Sequence, residues 1–200
     1  MQTKTLLNKL MATILICFAI THTACKKDNG TAAPPADVLS ASGDSLSIAP
    51  VLNQFRSLLG DSLNTAPGKV GGRREINWDA VPATFQDNNN FPSDFFAQTD
   101  AALPNGRKRG AVFTTSLSND MRISSKSFDD VYTGFAAQFK VFSHRLVLGA
   151  MNGNVIDVSF KVPGQVTDAT IKGFGVIFLD VDKEQKTSLE FFDAAGKSLG

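Results

Sequence analysis

Residues 155–162, VIDVSFKV, form the stretch that decides the fold class. Apolar side chains stand at every second position of this stretch, at Ile156, Val158, Phe160 and Val162. Because successive side chains of a strand point to opposite faces, these four side chains share one face. The stretch therefore predicts a β-strand with one face on a core and the other in water.

Further strand-like runs surround this stretch at fairly regular spacing: AVFTTS (111–116), MRISS (121–125), AAQFKVFS (136–143), GFGVIFLDV (173–181) and TSLEFFDAA (187–195). The run at 173–181 is apolar on both faces, which predicts a central strand covered on both sides. Short strands separated by turns about every 8–12 residues are typical of sandwiches and barrels. We therefore predict a mostly β fold, an antiparallel β-sandwich of jelly-roll-like type.

A helical pattern precedes the strands. In APVLNQFRSLLG, residues 49–60, apolar residues follow helical spacing, Pro50 suits the first turn and Gly60 suits the stop. We expect this short helix to pack on the domain. Residues 26–47 are small, polar and Pro-containing, which is typical of a flexible tether. The predicted domain therefore covers residues 48–200.

The last residues, TSLEFFDAAGKSLG, predict a strand, a turn at residues 193–196 and a returning strand. A strand without its neighbour leaves backbone groups unpaired. Two interpretations of residue 200 stay open: a cut inside a longer domain, or the natural end of a short final strand.

The amino terminus has the three parts of an export signal. Lys4 and Lys9 precede an apolar run at residues 10–20, and small residues then lead to Cys25. This run is shorter than the roughly 20 residues that span a bilayer. We therefore expect residues 1–24 to be a signal peptide.

Cys25 resembles the lipidated cysteine of bacterial lipoproteins, in which a lipobox ends in cysteine. His22 stands where that box usually has Leu, while the following KKDN is similar to the start of Gram-negative lipoprotein tethers. The resemblance implies lipidation of Cys25, residues 25–47 as anchor and tether, and attachment to the outer membrane. The domain would then lie in the periplasm or at the cell surface.

Composition narrows the partners of this domain. The chain has 20 Lys and Arg against 19 Asp and Glu, and two of the lysines lie in the signal. This near-neutral balance argues against a nucleic-acid partner, which favours a basic patch. Cys17 also lies in the signal, so the domain has no internal disulfide and depends mainly on packing.

Three stretches carry a second resemblance: GRREINWDAVP (72–82), RGAVFTTS (109–116) and GFGVIFLDVD (173–182). They are similar to an uncharacterised group of secreted bacterial β-sandwich proteins with a GRREINWDGVP-like stretch and a GFG-hydrophobic-DVD strand. Ala80 replaces the usual glycine. The resemblance covers roughly residues 48–200 and implies a fold and an extracytoplasmic location, without an activity. In that group the chain continues past the point that corresponds to residue 200.

Asp180 and Asp182 are the candidate metal ligands. Alternate carboxylates at a strand end point the same way, as ligands of a hard cation should. Calcium takes roughly 6–8 oxygens, so Asp193 or the pair Asp129 and Asp130 would have to complete the site. The alternative is an exposed acidic turn balanced by nearby lysines.

Aromatic and acidic residues offer further candidates. Trp78, in a polar setting, is a candidate platform for stacking a sugar; the alternative is an indole that plugs the end of the sandwich. Glu190 on a strand is the candidate for glycoside hydrolysis by paired carboxylates, although no second carboxylate is evident. Ser143 and His144 are adjacent but lack a nucleophile elbow.

These observations favour a lipid-anchored extracytoplasmic β-sandwich that binds a glycan or a surface partner without catalysis, with calcium as the one candidate cofactor. Two alternatives stay open: a polysaccharide hydrolase that uses paired carboxylates, and a structural envelope protein without a small ligand. The membrane, reached through the lipid anchor, is the remaining expected partner.

Overall fold

A computed structural model of the chain describes residues 37–69, 71–117, 120–183 and 186–200, which all belong to one compact unit. The signal peptide and Cys25 lie outside the described residues. The elements are helix α1 (Ser45–Leu59) and strands β1 (Phe96–Ala97), β2 (Lys108–Thr114), β3 (Met121–Ser124), β4 (Val147–Ala150) and β5 (Asp157–Phe160). Within the described ranges, no helix is long and apolar enough to cross a membrane.

Helix α1 begins at Ser45, four residues before the predicted stretch 49–60. The side chain of Asp44 caps it by accepting hydrogen bonds from the amide of Ser47 at 2.9 Å and from its hydroxyl at 2.7 Å. This cap satisfies amides that the helix start leaves unpaired, so Pro50 lies inside the helix and not in its first turn. The stop is confirmed, because the amide of Gly60 donates to the carbonyls of Arg56 and Ser57.

The strands form two small antiparallel sheets, one of order β1-β2-β5 and one of β3-β4. The described part of the chain is therefore strand-rich with little helix. The runs at 121–125 and 155–162 contain β3 and β5, as predicted, and the run at 111–116 covers only the second half of β2, which begins at Lys108. The segment before β1 pairs with the other edge of β3, since Asp87 and Phe91 donate their amides to the carbonyls of Ile123 and Met121.

Two predicted strands are wrong. Residues 136–143 form no strand, and the chain turns there through a short 3-10 helix at Phe135–Ala137. The carboxylate of Asp129 accepts the amides of Gly134 and Ala136, so a local side chain competes with strand pairing. The sequence analysis missed β4, which begins a few residues later, and also the two-residue strand β1.

The run at 173–181 is the second wrong prediction, because it forms no sheet ladder and is not covered on both sides. Phe178 and Val176 are 47% and 45% exposed. Gly175 lies against the ring of Phe55 in α1, and Asp180 has a left-handed backbone with φ of 59°. The segment packs on the helix, and the left-handed backbone of Asp180 interrupts an extended conformation. The strand pairing that the apolar pattern predicted therefore does not form.

Residues 191–200 form the predicted turn and return, but they pair only through an isolated bridge between Phe192 and Ser198, and residues 187–190 form no strand. The amide of Phe191 donates to Gly200 at 2.9 Å, and the amide of Leu199 returns a bond to Phe191 at 2.7 Å. At the turn, the carboxylate of Asp193 accepts the amides of Ala195 and Lys197, both at 2.9 Å. This Asx-type turn confirms the turn that the sequence predicted at residues 193–196.

One apolar core includes residues of both sheets. Ala111 and Phe113 of β2 share it with Met121 and Ile123 of β3, and Ile123 is fully buried. The segment before β1 adds Phe91 and Phe95, whose ring centroids are 4.9 Å apart. Packing of these rings stabilises the domain, which has no internal disulfide.

A bulge interrupts the pairing of β1 with β2. Phe96 faces Ala111, but the next residue, Ala97, faces Lys108, so Arg109 and Gly110 are extra residues on β2. Gly110 has φ of 83°, and a β-carbon there would overlap the carbonyl oxygen of Lys161. A bulge of this kind redirects the neighbouring side chain, here that of Arg109.

Candidate functional site

The two candidate calcium ligands lie in the irregular segment after β5. Asp182 is exposed, while Oδ1 of Asp180 is buried without a hydrogen-bond partner among the described residues. In the described ranges, no three His, Cys, Asp or Glu side chains lie close enough together to hold a metal ion. The structure therefore does not bring Asp193, Asp129 or Asp130 to this pair.

Each expected helper of the calcium site has another structural role. Asp193 and Asp129 accept backbone amides in their own turns. Asp130 forms an ion pair with Arg122, whose side chain is 8% exposed, and approaches Lys126 at 3.8 Å. Calcium binding at Asp180 and Asp182 remains a prediction that no contact described here supports.

Trp78 lies at the edge of the core. Its indole packs edge-on against Phe91, Phe96 and Phe113, at centroid distances of 6.3, 5.6 and 5.4 Å. These contacts correspond to the plug considered as the alternative in the sequence analysis. A role for Trp78 in stacking a sugar remains an untested prediction.

The residues weighed for catalysis make ordinary structural contacts. The exposed Glu190 accepts a hydrogen bond from the hydroxyl of Ser198 at 2.7 Å, across the final hairpin. The hydroxyl of Ser143 donates to the carbonyl of Leu146 at 3.1 Å, and His144 is exposed. Ser143 is therefore not oriented by His144 as a nucleophile would be.

A surface cleft lies at the end of β2, beside the residues that lead into β3. This cleft of about 550 Å³, which we call the β2 cleft, is lined by polar side chains that include Asn90, Ser93, Thr114, Thr115, Ser116 and Asp120. Two backbone bonds hold its walls: the amide of Phe113 donates to Ser93 at 2.9 Å, and that of Phe91 to Met121 at 3.2 Å. The walls thus belong to the paired part of the fold.

Asp120 is the buried acid of the β2 cleft, with only 1% of its surface exposed. Its Oδ1 accepts the amide of Asn152 at 2.5 Å, and its carbonyl accepts the amide of Met151 at 2.8 Å. Its Oδ2 has no hydrogen-bond partner among the described residues. A buried polar atom without a partner costs about 1–3 kcal/mol, so this oxygen calls for an explanation.

Asp120 lies among polar side chains of the β2 cleft. The backbone of Gly153 lies close to Asp120, since a β-carbon built there would be 3.3 Å from Oδ2 and 4.0 Å from the hydroxyl of Ser116. Thr115 donates its hydroxyl to the carbonyl of Leu117 at 2.7 Å, which fixes one wall. One carboxylate acceptor among several hydroxyls suits a ligand that carries hydrogen-bond donors.

Sequence reasoning missed Asp120. It stands after the polar pair Ser118-Asn119, in a stretch that predicts an ordinary loop between two strands. Burial decides its role, and burial of a loop aspartate has no local sequence pattern. The one available signal was its position directly before a predicted strand, MRISS, where side chains often lie at the edge of a sheet.

Comparisons with known proteins add no assignment to this geometry. No family model matches this chain, and the curated proteins and the solved structures gave no match either.

Proposed function

We propose that this protein is a lipid-anchored binding module of the bacterial cell envelope that holds a glycan segment in the β2 cleft without catalysis. The observation that carries the proposal is Asp120, a carboxylate that is 1% exposed, lines a cleft and has a free Oδ2 among the described residues. A ligand that donates a hydrogen bond to Oδ2 would remove the cost of leaving that oxygen unpaired.

Sugar hydroxyls fit this chemistry. Each one donates as well as accepts, so it can donate to the carboxylate of Asp120 while a neighbouring hydroxyl accepts from Thr114 or Ser116. Hydrogen bonds to a charged acceptor contribute about 1.5–3 kcal/mol each. The cleft volume of about 550 Å³ lies within the usual range of roughly 300–1,000 Å³ for small-molecule sites.

The location and the finer fold belong to the same proposal. An acylated Cys25 would anchor the chain, since each buried methylene contributes about 0.8 kcal/mol and several chains give stable attachment. Two antiparallel sheets that share one core support a jelly-roll-like sandwich, as in the secreted bacterial proteins that the sequence resembles. The module would then face the periplasm or the cell surface.

The test begins with a glycan array probed with the full-length protein in detergent, followed by calorimetric titration of the best-bound glycan. In Asp120→Asn, Oδ1 can still accept the amide of Asn152 but the carboxylate is lost. We expect at least tenfold weaker binding, because an amide group replaces a charged acceptor. The thermal midpoint without glycan should change little, because the amide nitrogen that replaces Oδ2 likewise has no described partner.

Asp182→Asn is the matched control, since this carboxylate is exposed and lies in another segment. Its glycan affinity should equal that of the unmodified protein. An array without any bound glycan, or Asp120→Asn with unchanged affinity, would show that the β2 cleft is not a glycan site. Release of shortened glycan during the titration would instead support the hydrolase alternative.

A further inference from the structure

A second cavity lies where β2 begins, at the other end of that strand from the β2 cleft. It has a volume of about 250 Å³, and we call it the arginine pocket. Its lining combines apolar and charged side chains, with Ile76, Phe95, Phe96, Glu75, Arg107 and Arg109 among them.

Two guanidinium groups of this pocket are held in fixed positions. The guanidinium carbon of Arg107 lies 3.6 Å from the ring centroid of Phe95, and its Nε donates to the carbonyl of that residue at 2.9 Å. Arg109 belongs to the β2 bulge and donates to the carbonyl of Asn64 at 2.8 Å. Both side chains are therefore ordered before any ligand arrives.

The one carboxylate in the lining is already neutralised. Glu75 accepts from Arg56 at 2.9 and 2.8 Å and from Arg73 at 2.7 Å. Hydrogen bonds from Arg56, followed by those from Arg73, hold its pKa below the usual value although burial acts the other way. Glu75 is therefore shared by two other arginines and does not balance the charge of Arg107 or Arg109.

Three guanidinium groups near the pocket have carbonyl oxygens as their described hydrogen-bond acceptors. Arg74 donates to the carbonyl of Lys69 at 2.6 Å, and Arg107 and Arg109 donate to carbonyls as given above. Burial, then repulsion from Arg109, lowers the pKa of Arg74. Burial likewise lowers the pKa of Arg107, and the charge of Asp94 acts in the opposite direction. An added negative charge would relieve the repulsion between Arg74 and Arg109.

We propose that the arginine pocket binds an organic carboxylate, with the carboxylate between Arg107 and Arg109 and the body of the ligand against Ile76, Phe95 and Phe96. The planar guanidinium fork matches a carboxylate in two parallel hydrogen bonds. Apolar walls favour an organic anion over a free inorganic ion, which would lose its hydration against them. This proposal does not depend on glycan binding in the β2 cleft.

The experiment uses the full-length protein in detergent, with benzoate and glucuronate as probes and chloride and phosphate as references at equal ionic strength. We expect both organic carboxylates to raise the thermal midpoint above the value in chloride, because each binds the folded state alone. A larger effect of benzoate indicates an apolar ligand body, and a larger effect of glucuronate indicates an acidic sugar. Equal midpoints in all four salts, or a rise in phosphate that matches benzoate, would overturn the proposal.

Arg109→Gln removes one guanidinium and should weaken the affinity for the better probe at least tenfold. Lys172→Gln is the control, an exposed lysine outside the pocket that loses the same charge. Should Arg109→Gln fail to fold, a nuclear magnetic resonance titration of the unmodified protein gives the answer. The Nε–H signals of Arg107 and Arg109 should shift with the probe while that of Arg145 does not, and equal shifts for all three would contradict the site.

Discussion

Two acidic side chains of this domain, Glu75 and Asp120, differ in the hydrogen bonds that their carboxylates accept. Glu75 accepts three hydrogen bonds from two arginines, whereas Oδ2 of Asp120 accepts none among the described residues. A carboxylate with several charged donors stabilises the fold that holds it. A carboxylate oxygen left without a donor weakens the fold, and this cost is the basis of the ligand proposed for the β2 cleft.

Glu75→Gln should destabilise the protein more at neutral pH than in acid. The pKa of Glu75 is lowered in the folded state, chiefly by its bonds from Arg56, so its stabilisation is present above its ordinary pKa and disappears as the pH falls. Its side chain is 37% exposed, so solvent screening limits the loss to about 1 kcal/mol. Urea unfolding at pH 7 and pH 3 measures the difference.

The difference in free energy of unfolding between the variant and the unmodified protein should be smaller at pH 3 than at pH 7, because the pKa of Glu75 is lowered in the folded state. Glu190→Gln, which removes an exposed acid with one neutral partner, provides the comparison. A Glu75→Gln deficit that stays constant between the two pH values would mean that packing, and not the ion pairs, is responsible.

At the scale of elements, α1 is attached to the domain by a charged contact and an apolar one. Arg56 binds Glu75, and Phe55 packs against Gly175 in the segment after β5. The GFG motif at residues 173–175 thus serves close packing against a helix. A glycine is required there because the ring of Phe55 occupies the space of a side chain.

Gly175→Ala should destabilise the protein by about 1–3 kcal/mol, the usual cost of overpacking. Its β-carbon would lie 2.7 Å from Cε1 of Phe55, so the ring or the helix must move. Gly106→Ala is the control, because nothing lies within 4 Å of a β-carbon there. The double variant Phe55→Ala, Gly175→Ala should lose less than the sum of the two single changes, and strict additivity would show that the two residues do not meet.

Local patterns predicted the elements whose pairing they control. The alternation at 155–162 yields β5, the glycine at position 60 ends α1, and Asp193 makes its turn. The run at 136–143 failed because Asp129 binds two amides of the neighbouring turn, and the run at 173–181 failed because a distant helix packs on its glycines. The β2 cleft was beyond prediction for the same reason, since Asp120 meets Asn152 through folding and not through spacing.

At the scale of the whole molecule, the buried apolar side chains are concentrated in one part of the chain. The buried residues of the apolar core come from the segment 81–96 and from β2, β3 and Leu146. The segment after β5 exposes large apolar side chains instead, with Phe178 at 47% and Val181 at 52%. Stability against local opening should therefore differ along the chain.

Hydrogen exchange followed by mass spectrometry should reveal that gradient. Amides of β2 and β3 should exchange only through global unfolding, because they lie in ladders around buried residues. The described residues of 171–189 should exchange much faster, since they form no ladder. Similar protection in both regions would mean that the segment after β5 opens only with the core.

The position of Trp78 also has an optical consequence. It is the chain's one tryptophan, and it touches Phe91, which lines the β2 cleft, and Phe96, which lines the arginine pocket. The tryptophan fluorescence of the protein therefore comes from a single indole, which packs against one lining residue of each cavity. A fluorimeter can follow occupation of either cavity, as well as melting of the core, without any added dye.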